Sequence, residues 1–132
     1  MNWRFWAATL AGLVLANLAD WFFAGFLFHE RYNTHPEVWR VNGANPRALI
    51  GAQVMTIPTV VGLIAVMIWT GQVSLQASLI LAVFIWAIAA APPIIANALF
   101  IKIDPLVTLS HTVGWLAKLA LVGASASLIL RL

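Results

Sequence analysis

The sequence predicts an all-α protein, a four-helix transmembrane bundle forming a single domain over residues 1–132. Three observations carry that expectation. Of the 132 residues, 63% are hydrophobic and only 8% charged, with a mean hydropathy of +0.96, whereas soluble domains carry about 25% charged residues. Four apolar stretches reach the roughly 20 residues that a membrane-crossing helix needs. None of them alternates apolar and polar residues as a barrel strand would.

The first stretch, 5–28, follows a Met-Asn-Trp-Arg start. It is too long for a signal-peptide core and is interrupted by Asn17 and Asp20, so it reads as a retained span. A polar loop, 29–47, comes next. Its Asn42-Gly43 and Asn45-Pro46 pairs read as turns, and residues 36–40 as a short interfacial helix. The second span, 48–70, contains Pro58, and the third, 74–101, contains Pro92 and Pro93. Prolines lack an amide donor and free the carbonyl one turn back, at Ile88 and Ala89 for the pair, so kinks are expected at all three. A bilayer tolerates such breaks where neighbouring helices, side chains or water satisfy the freed groups. The connections 71–73 and 102–105 are tight, and predict that spans two, three and four (106–130) pack as antiparallel neighbours.

Arg31, Arg40, Arg47 and Lys102 lie on the loop side, against Arg4, Arg131 and the α-amino group on the other. The positive-inside rule therefore places the long loop in the cytoplasm. Trp3, Trp6, Trp39 and Trp69 stand near span ends, where interfacial indoles belong. Ala8, Gly12, Ala16, Asp20 and Ala24 recur at spacing four. Such a small-residue stripe permits close helix approach, either inside the bundle or between copies in a homo-oligomer.

Few polar side chains interrupt the spans. Counted from the loop side at about 1.5 Å per residue, Asn97 lies about 6 Å deep and Gln53 and His111 about 7–8 Å. Asp20 and Thr56 follow at about 12 Å, and Asn17 and Lys118 at about 17–18 Å. Every span thus contributes to a polar zone in the loop-side half, whereas the far half offers little beyond Thr9, Gln76 and serines. On the fourth span His111, Trp115, Lys118 and Ser125 form one stripe. A charge inside a membrane marks a functional site by default and calls for a partner. For Asp20 the candidates are Lys118, one way along the membrane normal, and His111, the other. The plainer reading of Asn17, Gln53, Thr56 and Asn97 is interhelical hydrogen-bonding glue, and a self-neutralising charge pair can be purely structural.

Other chemistries find little support. With no cysteine, thiol catalysis, cysteine-ligated zinc and iron–sulfur clusters are excluded. Seven scattered basic residues make no nucleic-acid surface. His29, Glu30, His35 and Glu37 cluster in the loop but lack helical metal-ligand spacing. A b-type haem needs two facing histidines, and only His111 lies inside a span. Ser110 and His111 are adjacent on one helix and point about 100° apart, which argues against a triad with Asp20. No nucleophile elbow or phosphate loop is present. The sequence therefore predicts no enzyme, no metal and no cofactor.

The run Trp86-Ala-Ile-Ala-Ala-Ala-Pro92-Pro-Ile-Ile-Ala-Asn97-Ala-Leu-Phe100 resembles the third span of a bacterial integral membrane family, domain of unknown function 1761. Its members commonly show a tryptophan, a proline and Asn-x-Leu-Phe in that order. Leu109-Ser-His111-Thr-Val-Gly-Trp115-Leu is similar to the family's fourth-span segment, which typically reads Asn where His111 stands. The Met-Asn-Trp start and Asp20-Trp21-Phe-Phe fit its aromatic first-span exit. The resemblance covers the whole length and implies four spans and a bacterial inner membrane, with no established activity. Asp20, His111 and Lys118 are not part of the family pattern.

Two functions are compatible with these features. One is a binding or transport protein for a small molecule or ion, with a polar cavity open toward the loop and built on Asp20, Asn17, Gln53, Thr56, Asn97, His111 and Lys118. The other is a non-catalytic accessory subunit of a larger membrane complex.

Overall fold

The computed structural model of the protein describes residues 3–38 and 46–132. Trp39, Arg40 and the expected turn at Asn42-Gly43, with Asn45, lie outside the described residues. Four helical segments are long and apolar enough to cross a membrane: Trp3–Leu27, Pro46–Thr70, Leu75–Phe100 and Pro105–Leu130.

The first span begins as helix α1, Trp3–Asp20, which buries Ala8, Thr9, Gly12, Ala16 and Ala19. The small-residue stripe is used inside the bundle. A Cβ at Gly12 would lie 2.8 Å from Val60 Cγ1 and 3.2 Å from Val122 Cγ1, so this glycine lets α1 lie against the second and fourth spans at once. Beyond Asp20 the span widens into a π turn, Trp21–Leu27, closed by the Phe28 amide donating to Phe23 O over five residues at 3.0 Å. Phe23 faces inward against Gly114. Trp21, Phe22 and Phe26 are exposed, and Phe26 stacks on Phe22 and on Trp21 at centroid distances of 6.0 and 6.1 Å. Two 3-10 turns follow, His29–Asn33 and Pro36–Val38. The second of these stands where the sequence predicts a short interfacial helix.

Helix α2, Pro46–Thr70, continues as α-helix through Pro58. Its buried residues, Thr56, Val60, Leu63, Ile64 and Met67, all lie at or beyond position 56. The loop-side end, with Leu49, Ile50, Val54 and Met55, is exposed. This span therefore packs at its far end and stands away from α1 at its loop end. The turn after it is made by Gly71, whose φ of +69° is left-handed backbone that glycine alone adopts freely. Ser74 then caps the third span by accepting a hydrogen bond from the Ala77 amide at 3.2 Å.

The third span has three parts: α3, Leu75–Ile85; a π turn, Trp86–Ala90; and α4, Ala91–Phe100. The break falls where the tandem proline predicts it and takes the form of a register shift. The Ala91 amide bonds back to Trp86 O, five residues away. The helix then restarts with Pro92 and Pro93 in its first turn, where amides have no intrahelical partner to lose.

Helix α5, Pro105–Leu130, is the centre of the bundle and buries Val107, Ser110, Gly114, Lys118, Leu119, Val122, Gly123, Ala126 and Ser127. Asp104 caps it: its Oδ1 accepts from the Leu106 amide at 2.7 Å, which holds the carboxyl below its ordinary range. The first and third spans pack most extensively on α5, and α2 rests against both α1 and α5. At Gly123 a Cβ would lie 3.2 Å from Ser78 O, so α3 crosses α5 nearly backbone to backbone.

The second and third spans, joined by the tight turn, make almost no contact with each other. Their expected packing as neighbours is thus corrected, because the second span turns its buried residues toward α1 and α5 and the third toward α5. A groove of ≈ 340 Å³ separates them, walled by Thr59, Ile85, Ala89, Ala90, Pro93 and Ile94 and floored by Trp115 and Leu119. The third span is tied to α5 by the Trp86 indole Nε1, which donates to Thr112 O at 2.8 Å. Trp86→Phe keeps an aromatic ring but removes the donor together with the pyrrole part of the indole. It should lower stability by about 0.5–1.5 kcal/mol in a denaturant titration.

Candidate functional site

Lys118 lies on the buried face of α5, in register with Gly114 and Ser110 one and two turns earlier. An ammonium inside an apolar bundle needs an acceptor, because removing a charge from water is expensive unless it is paired. Asp20 supplies it at the end of α1. Lys118 Nζ lies 2.7 Å from Asp20 Oδ2, and the side chains keep 6% and 35% of their surface open, respectively. The pair is therefore lopsided: the ammonium is enclosed and the carboxylate is partly accessible. The ammonium also sits 4.5 Å from the centre of the Trp115 ring, over its face, which adds a cation–π contact.

The loop folds back over this pair. After the π turn, the chain enters His29–Asn33 and places Tyr32 above the start of α5. The Tyr32 hydroxyl is 3.2 Å from His111 Nε2 and 3.4 Å from Ser110 Oγ, and the Tyr32 and His111 rings meet edge to face at 5.6 Å. Thr34 Oγ1 secures the same segment by donating to Asp104 Oδ2 at 3.2 Å. Burial pushes the Tyr32 phenol above its ordinary value, and the Asp20 charge adds to this against the Ser110 hydrogen bond. The group is thus a neutral hydroxyl beside Ser110 and His111, and its single proton serves one acceptor at a time.

Tyr32 is the only tyrosine in the chain, so phenolate absorbance reads its titration directly. The midpoint should lie above the ordinary phenol value of about 10. In Asp20→Asn it should fall, since one of the charges opposing ionisation is gone. A raised folded-state value means that this contribution to stability is complete below the ordinary phenol range. It is lost as pH rises through the raised midpoint.

The polar residues read from the sequence separate into distinct places. Asp20, His111 and Lys118 gather with Tyr32, Ser110 and Trp115. Asn17 and Gln53 instead line a groove of ≈ 390 Å³ between the first and second spans, with Leu13, Leu49, Ile50, Val54 and Ile57 as its other walls. Asn17 Nδ2 donates to Leu13 O at 2.7 Å, and its Oδ1 is buried without a partner among the described residues. Thr56 is buried and donates to Ala52 O in its own helix at 3.3 Å. Asn97 is exposed on the third span and its side chain makes no hydrogen bond to a described residue. Of the fourth-span stripe, Ser125 bonds its own backbone at Val122 O. Both grooves are open and mainly apolar, and neither is lined by Asp20, His111 or Lys118.

Tyr32 is the residue that sequence reasoning missed. A lone tyrosine shortly after an aromatic span exit gives no periodic signal, and its reach depends on the π turn that re-aims the loop. Ser110 joins the group by the same route, since one phenol touches both Ser110 and His111 although their side chains diverge. Among the described residues, no three His, Asp or Glu side chains gather closely enough to hold a metal ion. Comparison with family models, curated proteins and solved structures finds no match to this chain.

Proposed function

We propose that the protein is a small integral membrane protein that binds a small polar solute or ion at the Lys118–Asp20 pair, from the loop side. The observation that carries this reading is the pair itself, with Tyr32, Ser110 and His111 at its loop-side edge. Hydrogen-bonding glue in a membrane is ordinarily made from neutral groups. A charge pair with one partner left partly open is an expensive way to hold helices together. The resemblance to a bacterial membrane family supports an inner-membrane setting, and the basic residues of the loop support a cytoplasmic face for the pair. The small-residue stripe is used within the bundle, so it offers no argument for a second copy.

The second reading, an accessory subunit, draws on the open apolar groove between the second and third spans, which a neighbouring membrane helix could fill. Purification in mild detergent separates the two. For the binding protein, a panel of small cations, organic acids, amines and zwitterions should include one that raises the melting temperature. That response should vanish when Asp20→Asn is combined with Lys118→Met. No response to any class, with one membrane protein co-purifying in fixed ratio, would favour the subunit.

A further inference from the structure

We propose that the groove between the second and third spans binds an uncharged lipophilic molecule carrying a hydroxyl group, taken from the bilayer. The site is separate from the Lys118–Asp20 pair, and neither reading depends on the other.

The tandem proline supplies the acceptors. Ile88 O finds Pro92 and Pro93 at the fourth and fifth places along the chain, and neither has an amide to give. Ala89 O loses its amide to Pro93 in the same way. The next amide, that of Ile94, belongs to the ladder of α4, which opens on Ala90 as its cap. The Ala91 amide is taken by Trp86 O, and the Trp86 indole by Thr112 O. Among the described residues, no side chain donates to Ile88 O or Ala89 O. Counted from the loop side, Ala89 lies about 18 Å deep, beyond the reach of headgroups. Freed carbonyls at that depth belong against protein or a water-filled cavity. Ile88 is nevertheless 75% exposed, and Ala89 is exposed in the wall of the groove. The acceptors therefore call for an occupant that donates.

The dimensions and lining suit a small molecule. The volume of ≈ 340 Å³ falls within the range of ligand sites, about 300–1,000 Å³. Ile85, Ile94, Leu119 and the Trp115 ring make an apolar lining. Thr59 lines the groove from the second span, at about 17 Å on the same count. Its hydroxyl reaches Met55 O only at 3.4 Å, a long contact for an O–H donor. An apolar hollow with a few polar groups at one height is the usual make-up of a ligand site.

The class of occupant follows from these groups. An ion is disfavoured by the cost of charge near the bilayer centre. An acyl chain fills apolar volume but leaves both carbonyls unmet. A neighbouring helix has its amides paired internally, and would need a polar side chain at this one height. A hydroxyl on an apolar body donates to a freed carbonyl and accepts from Thr59, while the body lies against the apolar lining. Trp115 makes the site observable, since it floors the groove and carries the Lys118 ammonium over its face at 4.5 Å.

The test uses the full-length protein in phosphatidylcholine vesicles, with a bromo-terminated long-chain alcohol and its methyl ether as probes. The ether lacks the hydroxyl donor, and bromine quenches indole emission at contact. The Trp115 share is the quenching lost in Trp115→Phe. Expected is saturable quenching, reached by the alcohol at about a three- to tenfold lower mole fraction than by the ether, the worth of one hydrogen bond. Pro92→Ala combined with Pro93→Ala returns the missing amides and should remove that preference. Should this double variant not fold, Pro93→Ala alone returns the amide to Ala89 O and should narrow it. Ala90→Leu fills the groove and should abolish quenching by both probes. Equal potency of the two probes overturns the proposal and leaves an ordinary acyl chain as the occupant. Absence of saturable quenching overturns it in favour of a neighbouring helix. A preference that survives the alanine substitutions, or quenching unchanged in Ala90→Leu, overturns the assignment to these carbonyls and this groove.

Discussion

Asp20→Asn should be the most damaging single substitution at the polar centre, lowering stability by about 3 kcal/mol or more, the scale for breaking a buried pair. The reason is the unequal enclosure of the two charges. Removing the carboxylate strands Lys118, which keeps 6% of its side-chain surface open. A stranded ammonium near the bilayer centre carries about 2.5–3.5 kcal/mol on insertion scales. Lys118→Met strands Asp20 instead, but that side chain is 35% open and can be reached by water or by Tyr32. Its cost should be smaller. The double substitution removes both charges, leaves a near-isosteric apolar stem beside Trp115, and should recover most of the loss, to within about 1 kcal/mol of wild type. Reversible unfolding of the four proteins in mixed micelles gives the coupling energy directly. Additive effects of the two singles would mean that the charges act independently, whatever their separation.

The second large effect is expected at Gly12. A Cβ there would stand 2.8 Å from Val60 Cγ1 and 3.2 Å from Val122 Cγ1. Both neighbours are β-branched and have little rotamer freedom with which to yield. Gly12→Ala should cost about 1–3 kcal/mol as overpacking, and Gly12→Leu should separate α1 from α2 and α5 altogether. Val60→Ala in the Gly12→Ala background opens the tighter contact and should restore part of the loss. At Gly51 and Gly62 an added Cβ would meet nothing within 4 Å. Alanine at either site should be neutral or should raise stability by up to about 1 kcal/mol through helix propensity. If Gly12→Ala melts like Gly62→Ala, the close approach of α1 is not a determinant of the bundle.

The limits of the spans were legible because they depend on solvent alone: apolar stretches long enough to cross a bilayer become helices, whatever surrounds them. Pairing of Asp20 with Lys118 was legible for a related reason. A buried charge must find its opposite, and counting residues at about 1.5 Å each brought the two to compatible heights. Height is all that such counting supplies. Gln53, Thr56 and Asn97 share the same zone of the membrane, yet they face a groove, a buried helix backbone and the outer surface, respectively. Which way a side chain points is decided by helix packing. The short turn at Gly71 shows the same limit. It brings the ends of two spans together without making their lengths pack, because α5 presents Gly123 to Ser78 and leaves the other two spans apart. The kinks illustrate a further distinction. Pro58 and the Pro92-Pro93 pair look alike as helix breakers, but only the tandem pair is met by a π turn.

The stacked ring cluster of Trp21, Phe22 and Phe26 begins one residue beyond Asp20, and Trp3 and Trp6 are exposed at the opposite end of the same span. The first span runs over 25 residues, Trp3–Leu27, somewhat more than the roughly 20 needed to cross a hydrocarbon core. Hydrophobic mismatch therefore acts on the carboxylate directly. Longer acyl chains should set Asp20 deeper in the hydrocarbon, and shorter chains should bring it nearer the headgroups. The strength of its attraction to Lys118 changes with that depth through the local dielectric. Membrane thickness is thus a physical variable of this charge pair, as much as salt or acidity is for a pair on a soluble protein.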